Sequence, residues 1–350
     1  MKMEIRGPSS RRLGGVRGRG SASAGLVWSS FLCLVAATIW PSVLRPSALA
    51  EKVPVVASIL PLGDFCKQIG GDRVEVQVLV PPGASPHTFE PSPSVVAKAT
   101  QARVFVYIGS GMEPWAQRFL SSGDATRLVV EATHGIPLIQ DAEDHDHVGE
   151  AQQGRLQGGH AQDESARIGP GERATHHHGK GNPHVWLDPV IAQEISRAIC
   201  RAFIQVDPGN ERFYLGNLSR FSRELRGLHE DIQKKVSGFR IREYVCFHPA
   251  YAYFSRRYGL RQVGVIEPAP GREPAPRHIQ RIVNAVRAHD IRVIFAEPQL
   301  SPRVAEVIAK EAGVKVLMLD PLGGRPPYGS DYLKMMRYNL SVMEEAMAKE

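Results

Sequence analysis

Three histidines of this chain sit in closely similar surroundings, each beside a proline and an aromatic residue. His87 lies in Pro86-His87-Thr88-Phe89-Glu90-Pro91, and His184 in Asn182-Pro183-His184-Val185-Trp186-Leu187-Asp188-Pro189. His248 lies in Val245-Cys246-Phe247-His248-Pro249-Ala250-Tyr251. Asp320, in Val316-Leu317-Met318-Leu319-Asp320-Pro321-Leu322, repeats the setting with a carboxylate. Three imidazoles and one carboxylate held on stiff loops suit a borderline-soft divalent cation, above all Zn2+. A closed set of four protein ligands leaves no open position for an activated water, which points to capture of the ion rather than catalysis. Neutral imidazoles and an ionised carboxylate are the binding forms, so affinity is expected to fall as protons compete.

The elements that must position these residues read as alternating strands and helices. Val53 to Leu60, Val74 to Val80 and Val104 to Ile108 are apolar strands, with helices over Leu62 to Ile69 and Ser94 to Ala99. A helix follows His184, through Ile191 to Val206. Beyond it, Tyr244 to Phe247, Gln262 to Ile266, Val293 to Ala296 and Val316 to Leu319 read as strands, separated by helices over His278 to Ala288 and Pro302 to Ala312. This alternation indicates parallel βα units, in which function collects at the carboxyl ends of the strands. His87, His248 and Asp320 each follow a strand. Between the halves, Phe213, Leu218, Phe221, Leu225, Leu228, Ile232 and Val236 recur at helical spacing. They predict one long amphipathic helix with Asp207 as its N-cap, Pro208 at its first position and its end near Ser237.

Residues 1–50 read as an export signal: a basic start, an apolar stretch from Gly25 to Trp40, and Ala48-Leu49-Ala50 as the cleavage site before Glu51. That segment holds seven of the basic residues and one acid, so the net charge of +7 falls to +1 without it. The high pI therefore gives no support for nucleic-acid binding. Cys66, Cys200 and Cys246 remain, and a Cys200–Cys246 pair is left open. No CxxC spacing exists, which argues against a thiolate zinc site. Residues of about 141–181, rich in Gly, Gln, Asp and His, read as a disordered surface loop carrying Asp144-His145-Asp146-His147, His160 and His176-His177-His178.

Several long segments resemble the solute-binding components of zinc- and manganese-type ABC importers, the cluster A-I metal receptors. The resemblance is carried by Pro81 to Pro93, Asn182 to Pro189, Phe247 to Phe254, Phe295-Ala296-Glu297-Pro298-Gln299 and Leu319-Asp320-Pro321-Leu322-Gly323. It implies an α/β fold of two lobes with central sheets, joined by one long rigid helix, and a metal site in the cleft between them. The division would be a signal peptide at 1–50, an N-terminal lobe at 51–207, a linker helix at 208–237 and a C-terminal lobe at 238–350. The ligand positions of the resemblance fall on His87, His184, His248 and Asp320. His248 stands where the manganese receptors typically carry a carboxylate, which favours zinc. The resemblance also implies a periplasmic, monomeric, non-enzymatic receptor that hands Zn2+ to an inner-membrane permease. The His-rich loop, a feature of zinc receptors, is a candidate low-affinity antenna.

Other readings make different demands. Glu90, Glu273 and Glu297 compete with Asp320 for the carboxylate position or support the site from behind. A manganese or iron receptor would want more oxygen ligands. A zinc hydrolase needs a general base beside an open coordination position, and no HExxH motif is present. An adhesin or zinc buffer would keep the same site without a cognate permease.

Overall fold

The computed structural model describes residues 51–121, 126–140, 181–268 and 273–348. The expected export signal and nearly all of the expected His-rich loop fall outside them. In the first half, β1 (Val53–Ala57), α1 (Leu60–Gly70), β2 (Val74–Val78), α2 (Pro93–Ala99), β3 (Val104–Tyr107), α3 (Ala116–Ser121) and β4 (Leu128–Glu131) build a parallel sheet in the order β2-β1-β3-β4. Val55 of β1 lies opposite Val76 on one side and Val104 on the other. Helices cover such a sheet, so β3, Val-Phe-Val-Tyr, is buried at every position and reads as a continuous apolar run.

Then come α4 (Pro189–Val206) and the long α5 (Glu211–Ser237). The second half is built from β5 (Glu243–Cys246), α6 (Ala252–Tyr258), β6 (Arg261–Val265), α7 (Pro276–Ala288), β7 (Val293–Ala296), α8 (Arg303–Ala312), β8 (Lys315–Met318) and α9 (Tyr332–Met347). Its parallel sheet has the order β6-β5-β7-β8, the same connectivity as the first.

The expected α/β fold of two sheets and a long helix is what the chain adopts. α5 spans 27 residues, about 40 Å at the α-helical rise. Its stripe of Tyr214, Phe221, Leu225, Leu228, Ile232 and Val236 is buried in a core that also takes in residues of both sheets. A smaller core lies beneath β5, β7, α7 and α8. No described helix is long and apolar enough to cross a membrane.

One sequence expectation is corrected, and one open question is answered. Asp207 does not cap α5: Pro208–Asn210 forms a separate 3-10 turn, and α5 starts at Glu211 after Asn210. The Asp207 carboxylate instead accepts hydrogen bonds from Asn210 Nδ2 (2.8 Å) and the Tyr214 hydroxyl (2.6 Å), which tightens the corner between α4 and α5. Cys66, Cys200 and Cys246 are free and buried, so the open Cys200–Cys246 pairing does not form.

Candidate metal centre

Each histidine reaches the centre from a different local structure. His87 sits in the turn after β2, where the Thr88 and Phe89 amides both donate to the Ser85 carbonyl (3.2 and 2.9 Å). His248 follows the buried end of β5 and precedes the 3-10 turn Pro249–Tyr251, which leads into α6. His184, unlike the other two, does not follow a strand directly. It precedes the 3-10 turn Val185–Leu187, and Asp188 then caps α4 by accepting from the Val190 amide at 2.9 Å. Asp188 also pairs with Arg257 of α6 at 2.7 Å, tying this loop to the second half of the molecule.

The three Nε2 atoms converge. His184 Nε2 lies 3.3 Å from that of His87 and 3.2 Å from that of His248. Zn–N bonds of about 2.0–2.1 Å at tetrahedral angles would hold nitrogens about 3.3–3.4 Å apart, so the spacing fits one zinc ion. Among the described residues, only these three side chains form a group of ligand atoms lying within 4.8 Å of one another. The cavity between them is about 10 Å³ and is also lined by Met112, Trp186, Glu297, Gln299 and Leu300. That volume holds about one water-sized sphere. It suits a stripped ion and excludes an organic substrate in this conformation. A larger groove of about 640 Å³ lies between β4 and α4, but no metal-competent group is found there among the described residues.

Burial sets the protonation of the rings. His87 is pushed down to about 4 and His248 to about 3, in both cases first by loss of water around the charged form. His184 lies well below the ordinary imidazole value because of burial, and then because of its two neighbouring rings. All three rings are therefore neutral at neutral pH, the form that binds a metal.

Asp320 is buried at 2% exposure but stands outside the triad of ligand atoms. Its Oδ1 accepts from Gln299 Nε2 (2.7 Å) and from the Leu322 and Gly323 amides (3.0 and 2.9 Å), and its Oδ2 accepts from the Tyr328 hydroxyl (2.7 Å). The following residues, Pro321 and Leu322, line the cavity. Glu297 also lines it, and its carboxyl is raised well above the ordinary range by burial, then by Asp320 and Glu267, so it favours the neutral form. Glu90 is exposed and pairs with Arg118, and Glu273 is exposed.

The combination of repeated sheets, a long shared helix and a three-nitrogen pocket narrows the possibilities to a metal-receptor architecture. A model of the family described as ZnuA, zinc-uptake complex component A, periplasmic, matches residues 55–346. The chain belongs to that family. The high-affinity zinc uptake system protein ZnuA of Yersinia pestis is 32% identical over 271 residues, covering 77% of this chain and 83% of its own. The protein of the same description from Bacillus subtilis (strain 168) is 29% identical over 304 residues, 85% of this chain and 88% of its own. A crystal structure of a zinc-bound ZnuA deletion mutant matches with a TM-score of 0.69 at 26% identity, covering 86% of this chain and 100% of its own.

Around this zinc-uptake component's pocket, the fold recruits residues that ligand-type reasoning passes over. Trp186 packs its ring 5.2 Å from that of His184 and donates its indole N–H to the Pro321 carbonyl at 2.8 Å. Tyr332, the first residue of α9, donates its hydroxyl to the Trp186 carbonyl at 2.7 Å. Tyr328 and Gln299 hold Asp320. Only Trp186 and Gln299 had a sequence signal, as members of motifs quoted above. Tyr328 and Tyr332 come from a segment without one.

Proposed function

We propose that this protein captures Zn2+ outside the cytoplasmic membrane and delivers it to an ABC-type permease, acting as a receptor and not as an enzyme. His87, His184 and His248 supply the nitrogens, and Asp320 supplies the carboxylate that completes the shell when the ion is loaded. The observation that carries this reading is the convergence of three neutral imidazoles, with His184 Nε2 3.3 Å from that of His87 and 3.2 Å from that of His248, on a cavity of about 10 Å³. Membership of the zinc-uptake family and the names of the relatives support zinc as the cargo. Nitrogen-rich sets favour zinc over manganese, which prefers oxygen ligands. The family description also supports export to the periplasm; removal of the signal after Ala50 and a monomeric working form belong to the same proposal. The expected release step is prising of the cleft by the permease.

The deciding measurement is a competition titration of the metal-free protein with Zn2+ and Mn2+, on wild type, His248→Ala and Asp320→Asn. One tight zinc site is expected, weakened at least about 100-fold by loss of the imidazole and less by the amide substitution. Manganese binding as tight as zinc, or a His248→Ala protein that binds like wild type, would sink this ligand set.

A further inference from the structure

Asn182, two residues before His184, is 1% exposed and makes contacts on every side. Its Oδ1 accepts the His184 backbone N–H at 3.0 Å and lies 2.9 Å from His184 Nδ1. Its Nδ2 donates to the carbonyl of Pro249, the residue after His248, at 2.9 Å. Its own amide donates to the Ile139 carbonyl at 2.7 Å, and its carbonyl accepts from the Tyr253 hydroxyl at 2.7 Å.

These partners leave the side-chain amide one orientation. A backbone N–H only donates, so the atom facing His184 N is the oxygen; a carbonyl only accepts, so the atom facing Pro249 is the nitrogen. An oxygen 2.9 Å from His184 Nδ1 requires the proton on that nitrogen. In a neutral ring the lone pair is then on Nε2, the atom that faces His87 and His248. The same amide bridges the loop before α4 and the loop after β5, which belong to different halves of the chain.

Building on the zinc-site reading above, we infer that Asn182 is a positioning residue: it locks His184 in the Nδ1-protonated tautomer and fastens the His184 loop to the His248 loop. Two of the three nitrogens are thus aimed before the ion arrives, and zinc loading requires no proton shift on His184. Outer partners of metal-bound histidines typically contribute about 10- to 100-fold in affinity.

The test joins histidine 15N NMR on the metal-free protein to chelator competition with Zn2+. Wild type is expected to show His184 as the Nδ1–H tautomer. Asn182→Leu, with no acceptor, is expected to show a tautomer mixture and zinc affinity lower by about 10- to 100-fold. Asn182→Asp keeps the oxygen that faces His184 N and Nδ1 but replaces the donor to Pro249 with a charged acceptor, so it should restore the tautomer while the tie to the His248 loop is lost. An Nε2–H tautomer in wild type overturns the inference, and that arm decides even if the leucine variant fails to fold. So does a leucine variant that melts lower but keeps wild-type tautomer and affinity, because it would show a purely structural role. His184→Ala separates the two ideas: if it binds zinc like wild type, the site reading itself falls. If it loses zinc while Asn182→Leu does not, only the role of Asn182 falls.

Discussion

At His87, His184 and His248, burial acts on function through protonation. An exposed imidazole gains its proton near 6.5, where it would compete with zinc; here His87 takes it at about 4 and His248 at about 3. The sequence leads to an affinity that falls on mild acidification, and burial moves that fall downward. Zinc affinity is therefore expected to be nearly flat from neutral pH to about 5, as far as the imidazoles set it, and to fall steeply below. Titrations at a series of pH values check this; a tenfold loss for each unit below 6.5 would contradict it. The stability of the metal-free protein has the opposite exposure to acid. The unfolded chain binds protons on these rings below 6.5 while the folded one does not, so stability is lost as pH falls through that window.

The loops bearing His87 and Asp320 meet at a close backbone approach. Gly324 has φ +91°, and a Cβ there would come within 2.7 Å of Pro82 Cβ and 2.8 Å of Leu60 Cδ1. Glycine is required twice, by the dihedral and by the space. Gly83 provides the control, since its φ is +82° but a Cβ there would meet nothing within 4 Å. Gly83→Ala should cost only the backbone strain, about 1–2 kcal/mol. Gly324→Ala should cost about 1–3 kcal/mol more and should also weaken zinc binding, because it pushes the His87 loop off its neighbour. Denaturant melts and zinc competition on the pair measure this, and equal behaviour of the two variants would remove the close approach from the account.

Across the whole molecule, the two halves are fastened beneath the site as well as at it. Asp64 of α1 accepts the backbone N–H of Tyr332, at the start of α9, at 3.0 Å, and the Phe65 ring stands edge-on to that of Tyr332 at 4.8 Å. Burial raises the Asp64 carboxyl from 3.8 to about 6; the Tyr332 bond opposes that rise and nearby Asp331 adds to it. The folded protein thus holds a proton there between 3.8 and about 6 that the unfolded chain has released, and stability falls as pH rises through this range. Asp64→Asn keeps an acceptor for Tyr332 without the charge. It should raise Tm at neutral pH by a few degrees and flatten the dependence between those values, as thermal melts over a pH series would show. With α5 shared by the main core, motion between the halves is expected to be rocking and loop rearrangement rather than wide opening.

The order of strands and helices, the long amphipathic helix and the three histidines were legible in the sequence. Apolar runs such as Val293–Ala296 and helical spacing such as Leu225, Leu228 and Ile232 are local consequences of which faces must be buried. The short elements α3, β4 and α6, and the 16-residue α9, were not legible, because their apolar residues are placed by neighbours distant in the chain. The residue types alone specified a nitrogen-rich site suited to zinc. Only the tertiary structure decided that His184 Nε2 lies 3.2–3.3 Å from those of His248 and His87, that Asp320 is held by Gln299 and Tyr328, and that Asn182 faces both His184 and Pro249. Those outcomes depend on distances between residues as far apart as 87 and 248, which packing sets and local chemistry does not encode.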